Sequence, residues 1–172
     1  MDRTDLQARL EACHPAAFGW ALNCCGWDRS LAEDALQTAY LKVLQGRARF
    51  DGRASFKTWL FAVIRRTAAD ERRRLALRRF VPLSMLDGRS AAAGSRPDLE
   101  GAIARSQDNE RLVQALSTLP ARQRDLLHLV FYQDLSIAQA ADVLGIAVGT
   151  ARTHYERGKR RLRGLLAEDV RE

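Results

Sequence analysis

Residues 135–163 read LSIAQAADVLGIAVGTARTHYERGKRRLR, two short helical patterns on either side of a glycine. Ile137, Ala140, Ala141 and Leu144 recur at i, i+3, i+4 and i+7, which puts one apolar stripe on the first helix. Ser136 stands just before it, where a hydroxyl can accept from an amide that has no helical partner. Gly145 supplies the left-handed turn that a side chain would resist. In the second helix Val148, Ala151, Tyr155, Leu162 and Leu165 share a face. The opposite face carries Thr150, Arg152, Thr153, Glu156 and Arg157 in its N-terminal half, and Arg160 follows as a phosphate contact. An apolar stripe, a glycine turn and a basic outer face together predict a helix-turn-helix whose second helix reads the major groove.

The charge of the chain agrees with a polyanionic partner. Its 172 residues carry a net charge of +7, and two blocks supply all of it. Residues 65–79 hold seven arginines against Asp70 and Glu71, and residues 152–163 hold six basic side chains against Glu156. Base gathered in two separate places predicts two contacts with nucleic acid, not a uniformly sticky surface. No apolar run approaches the length of a membrane span and the N-terminus has no signal pattern, so the expectation is a cytoplasmic chain without membrane insertion. Cys13, Cys24 and Cys25 are an odd set lacking the spacing of a zinc site, which predicts buried thiols and neither disulfides nor a metal. No nucleophile–base pair and no glycine-rich phosphate loop is present. The sequence therefore predicts a binding protein, with no catalytic residues and no cofactor.

Helical periodicity runs through nearly the whole chain, with no alternating strand pattern. It predicts helices over Asp5–Cys13, Pro15–Cys25, Ser30–Gln45 and Ser55–Arg79, then over Asp98–Leu116 and Pro120–Tyr132, and finally the helix-turn-helix. Val81–Pro97, with two prolines and two glycines, has the composition of a linker. The expected fold class is thus all-α, with one helical domain over residues 1–80, a linker over 81–97 and a second helical domain over 98–172. Within the first, FDGRASFKTWLFAVIRRTAADERRR places Phe50, Phe56, Trp59 and Phe61 just ahead of the arginines. Rings beside base suit single-stranded nucleic acid, where a ring stacks on a base and an arginine follows the phosphate. Trp59, Leu60, Val63 and Ile64 also fit the core face of an amphipathic helix. Phe56 and the Arg65, Arg66, Arg72, Arg73 face favour the nucleic-acid reading.

Three strings in order, AEDALQTAYLKVL (residues 32–44), FDGRASFKTWLFAVIRRTAAD (residues 50–70) and LPARQRDLLHLVFYQDLSIAQAADVLGIAVGTARTHYERGKRRL (residues 119–162), resemble a bacterial sigma factor of the sigma-70 family. The likeness is to the group IV, extracytoplasmic-function class. It implies two helical domains, sigma-2 and sigma-4, and a transcription initiation factor that works with core RNA polymerase and promoter DNA. By this resemblance Asp34, Gln37 and Leu41 meet the clamp of the largest polymerase subunit. Phe56, Trp59, Arg65, Arg66, Asp70 and Arg73 meet the melted −10 element. Thr150, Arg152, Thr153, Glu156, Arg157 and Arg160 meet the −35 duplex, and the same domain meets the polymerase flap. The class also implies an anti-sigma factor as a partner.

The chain departs from the family pattern at three positions. Thr38 follows Gln37 where a glutamate is usual, Arg66 replaces the usual asparagine, and Ala147 stands where a serine usually precedes the recognition helix. The competing expectation from another class is a stand-alone helix-turn-helix repressor, which would bind its operator without polymerase.

Overall fold

The computed structural model describes residues 2–80, 112 and 114–168. The first helix, α1 (Arg3–Cys24), passes through Pro15, where the sequence predicted two separate helices. Proline lacks the amide that the Glu11 carbonyl would normally accept from. Glu11 and Pro15 both lie on the exposed side, so water can satisfy that carbonyl. On the other side Leu10, Ala17, Trp20, Ala21 and Cys24 are buried, and this continuous stripe holds the helix together across the proline. A turn containing Gly26 and Trp27, both in the left-handed region at φ 66° and 68°, leads to α2 (Arg29–Leu44). Asp28 caps α2 by accepting from the Leu31 amide at 3.0 Å. Ala32, Ala35 and Ala39 are fully buried and let α2 pack closely on α1.

Ser55 starts the third helix, α3 (Phe56–Phe80), with its hydroxyl oxygen accepting from the Thr58 amide at 3.1 Å. Leu60, Phe61 and Ile64 are fully buried along it. The predicted linker over 81–97 and the predicted start of a helix at Asp98 lie outside the described residues. Residues 114–117 are helical.

Pro120 precedes α4 (Ala121–Leu127). The sequence predicted a single helix to Tyr132, but residues His128–Tyr132 form a π-helical turn. There the Gln133 amide reaches back five residues to the His128 carbonyl at 3.2 Å. Asp134, at φ 54°, then turns the chain toward Ser136. The helix-turn-helix follows as α5 (Ile137–Leu144) and α6 (Val148–Glu168). Ser136 and Gln139 cap α5 reciprocally: the Ser136 oxygen accepts from the Gln139 amide at 3.2 Å, and the Gln139 oxygen from the Ser136 amide at 2.9 Å. Gly145 closes α5 at φ 63°. Leu116, Leu119 and Leu127 form a core onto which Leu112, Tyr155, Leu162 and Leu165 pack. Val148, expected on the buried face of α6, is 43% exposed. As the first residue of its helix it lies beyond the edge of that core, and Ala151, fully buried, takes the inward position.

Every regular element among the described residues is helical. Two compact units result, one built on Met1–Phe50 and Val63–Asp98, the other on Asp51–Ala62 and Leu99–Glu172. Residues 51–62 fall in the second of these units.

His128 gives the second unit a sensitivity to acid. The ring is 8% exposed, and its Nε2 lies 3.2 Å from the Gln133 side-chain nitrogen, which can only donate. The neutral ring accepts that bond, whereas an imidazolium would oppose donor to donor. Burial, and then the nearby Arg124 charge, lower the His128 pKa from 6.5 to about 4. Between those two values the unfolded chain binds a proton that the folded chain does not. Stability is complete above pH 6.5 and is lost as pH falls toward 4. Lowering the pH from 7 to 5.5 is expected to remove about 1 kcal/mol through this residue. Urea unfolding at the two pH values measures the loss, which should shrink in His128→Gln.

Candidate nucleic-acid and polymerase interface

The outer face of α6 carries all six residues expected at the −35 element. Thr150, Arg152, Thr153, Glu156, Arg157 and Arg160 are exposed. Glu156 engages Lys159 at 3.5 Å, and no ion pair within the described residues holds Arg152, Arg157 or Arg160. Three guanidinium groups are thus available for bases or phosphates. Thr153 donates its hydroxyl to the Gly149 carbonyl at 3.0 Å, which turns its methyl group and remaining lone pairs to the surface. The inner face fixes the posture of the helix. At Gly158 α6 approaches α4 so closely that a Cβ would lie 3.2 Å from the Gln123 Cβ and 3.3 Å from the Leu127 Cδ1. Arg122 donates to the Leu144 carbonyl at 3.3 Å and so secures the end of α5. The sequence pattern did not single out Gly158 or Arg122. A glycine in mid-helix was the available signal for the first.

The residues expected at the −10 element are divided between the two units. Arg65, Arg66, Asp70 and Arg73 lie in the first, on α3, and Phe56 and Trp59 lie in the second. Arg66 is exposed and Arg65 half-buried. Asp70 pairs with Arg73 at 3.3 Å and with Lys42 at 3.8 Å, and Lys42 also donates to the Thr67 hydroxyl at 3.2 Å. Asp70 therefore organises two cations. Lys42 joins this cluster from another helix, a neighbourhood that helical spacing cannot reveal. Arg72 donates to the Cys24 carbonyl at 3.3 Å and ties α3 to the end of α1, while Arg74 pairs with Glu71 at 3.1 Å. Phe56 is 8% exposed and packs on Trp59 with ring centres 5.4 Å apart. At the first turn of α3 its position lets it fold back against the ring three residues on. Trp59 is half-buried and keeps an exposed part.

On α2 Asp34, Gln37 and Leu41 are exposed along one face, opposite the buried Ala35, Ala39 and Val43. Leu41 is 49% exposed, and Leu44, which the sequence reading had not included, continues the stripe at 41%. Thr38 is half-buried beside it. Next to Leu44, a groove of about 430 Å³ runs between α1 and α2, where the His14 Nδ1 and the Tyr40 hydroxyl lie 3.2 Å apart. Burial pushes the Tyr40 pKa up to about 12, so this hydroxyl stays protonated.

Cys13, Cys24 and Cys25 are unbridged, and burial pushes the Cys25 thiol up to about 12. Among the described residues no cluster of histidines, cysteines and carboxylates can hold a metal ion, and no helix is long and apolar enough to cross a membrane.

Comparison with known proteins places the chain in a family. Residues 10–78 match the family model for sigma-70 region 2, and residues 109–162 match that for sigma-70, region 4. The chain is 31% identical to the ECF RNA polymerase sigma factor SigX of Bacillus subtilis, over 83% of this chain and 76% of that protein. It is 33% identical to the ECF RNA polymerase sigma factor SigL of Mycobacterium tuberculosis, over 89% of this chain and 85% of that protein. Among solved structures, the sigma factor RpoE in complex with the anti-sigma factor NepR from Bartonella quintana superimposes with a TM-score of 0.72 at 26% identity, covering 95% of this chain and 97% of that one. With both regions matched in order and such relatives spanning most of its length, the chain belongs to the sigma-70 family, as a transcription initiation factor of the extracytoplasmic-function class.

Proposed function

We propose that this chain binds core RNA polymerase through α2 and directs it to promoters, with α6 on the −35 duplex and α3 on the opened −10 strand. The observation that carries the reading is the outer face of α6, where Arg152, Arg157 and Arg160 stand exposed without an ion-pair partner among the described residues on a helix fixed from behind by Gly158. Six exposed polar residues over the first turns of a recognition helix suit base edges first and phosphates further along. The Arg65, Arg66 and Arg73 face suits a single strand, with the exposed part of Trp59 as its stacking surface. The bond-making chemistry belongs to the polymerase, and the chain acts in the cytoplasm. The solved complex of a related sigma factor with an anti-sigma factor supports a partner of that kind here.

The test is run-off transcription with purified core polymerase on promoters selected from a random library. Specific transcripts that need both the chain and core enzyme support the proposal. Tight operator binding without polymerase, and no transcript, would overturn it. Asp34→Arg gives the α2 surface its own test. Asp34 shares a face with Gln37 and Leu41, and a reversed charge there should weaken assembly with core polymerase about 10-fold, or roughly 1.4 kcal/mol. Asp34 is exposed, so the helical fold should persist in circular dichroism. Unchanged affinity for core enzyme would remove this face from the interface.

A further inference from the structure

We propose that His154 is a further specificity-determining residue for the −35 duplex, donating from its Nε2 to a base acceptor in the major groove. The inference deepens the assignment of α6 to the −35 element and rests on it. His154 lies in the second turn of α6, four residues after the exposed Thr150 and four before the buried Gly158. Each step of four residues rotates about 40° around a helix, so the ring sits at the border between the outer face and the face packed on α4. It is half-buried, as that border requires. On its inner side, at Gly158, the helices are so close that a Cβ would lie 3.2 Å from the Gln123 Cβ.

The two ring nitrogens therefore have different tasks. Nδ1 is buried and has no hydrogen-bond partner among the described residues. Orphaned buried N–H groups are rarer in proteins than under-satisfied acceptors, so in the neutral ring Nδ1 keeps the lone pair and Nε2 carries the hydrogen. The Gln123 side-chain oxygen on α4 is likewise buried and unpaired. It accepts nothing from Nδ1, which agrees with a lone pair at that nitrogen.

Nε2 is the ring nitrogen further from the backbone, and Thr150 and Arg157 are its neighbours along the exposed face. With α4 behind it, the ring has few other orientations to give up on binding, so a bond made here loses little to ordering. A donor at this place fits N7 and O6 of guanine, N7 of adenine or O4 of thymine. On cytosine it meets the amino group, which is also a donor. His154 thus selects against cytosine at one position of the −35 element, independently of the bases that the arginines contact. The outward charge of an arginine is not needed for this, only one directed N–H.

The experiment selects −35 sites from a random duplex library with holoenzyme carrying wild type, His154→Gln, His154→Asn or His154→Ala. Glutamine places an amide nitrogen near the position of Nε2, whereas asparagine places one near Nδ1. Wild type and His154→Gln should disfavour cytosine at one −35 position by about 5-fold, the size of one hydrogen bond between neutral groups. His154→Asn and His154→Ala should lose that preference and keep the others. The slope of log affinity against log salt should be the same in all four, because no phosphate contact is lost. Loss that is equal on all sites, or selection by His154→Ala identical to wild type, would overturn the proposal. Preference for cytosine in wild type would overturn it too, since Nε2 would then be an acceptor. A wild-type holoenzyme that selects no −35 sequence would overturn the assignment of α6 itself, and this inference with it.

Discussion

Gly158→Leu should destabilise the helix-turn-helix unit and weaken −35 binding with it. A Cβ at this position already lies 3.2 Å from the Gln123 Cβ, 3.3 Å from the Leu127 Cδ1 and 3.4 Å from the Gln123 carbonyl oxygen. The remaining atoms of a leucine would have to enter the same space between α4 and α6. Leucine is the better helix former by nearly 1 kcal/mol, which works in favour of the variant. Overpacking of a close helix contact costs about 1–3 kcal/mol and more when backbone must move. Here Leu127 belongs to the core and the Gln123 oxygen is backbone, so the cost should exceed the gain by about 2 kcal/mol. A unit of this size loses about 4–8 °C of Tm for each kcal/mol, so thermal unfolding followed by circular dichroism should move down by ~10 °C. Gly158→Ala separates the two effects: one methyl gains propensity and meets only the nearest contacts, and it should stay within about 1 kcal/mol of wild type. An unchanged Tm in Gly158→Leu would mean that α4 and α6 can separate without loss.

The same glycine shows which part of the fold was legible in the sequence. The period of Ile137, Ala140, Ala141 and Leu144, the Ser136 cap and the Gly145 turn each specify structure within a few residues, and each appears as expected. Gly158 acts through a partner 35 positions away, which periodicity cannot supply. Pro15 misled for a related reason. A proline ends a helix when its neighbours offer nothing in return, and here Trp20, Ala21 and Leu10 bury a stripe that spans it. The π-helical turn at His128 depends on how Gln133 folds back on the histidine ring, a contact with no signature in the order of residues. In the candidate site, exposure on α6 and α2 followed from helical faces alone. The pairing of Asp70 with Lys42 and the covering of Phe56 did not, because both depend on which elements are brought together in space.

Arg152→Ala should relax the sequence preference at −35, while Arg160→Ala should weaken all sequences nearly alike. Both side chains are exposed on α6, and their positions along the helix distinguish their roles. Arg152 lies in the second turn, close to the end that would enter the groove in the proposed docking, where a guanidinium can donate to O6 and N7 of one guanine. Losing such a paired contact costs about 1–3 kcal/mol on the preferred base and little on the others. Arg160 lies two turns further on, where in the proposed docking the helix would leave the bases and meet the backbone. Each phosphate contact contributes close to one unit to the slope of log affinity against log salt, so Arg160→Ala should flatten that slope by about 1. Glu156 is occupied by Lys159 and leaves Arg152 free to follow the base, which is why the first variant should act on specificity. The measurement is holoenzyme binding to preferred and scrambled −35 sites across a range of salt. Equal losses on both sites for Arg152→Ala would place that arginine on the backbone. The reader of the base would then be sought at Arg157, one turn along the same exposed face.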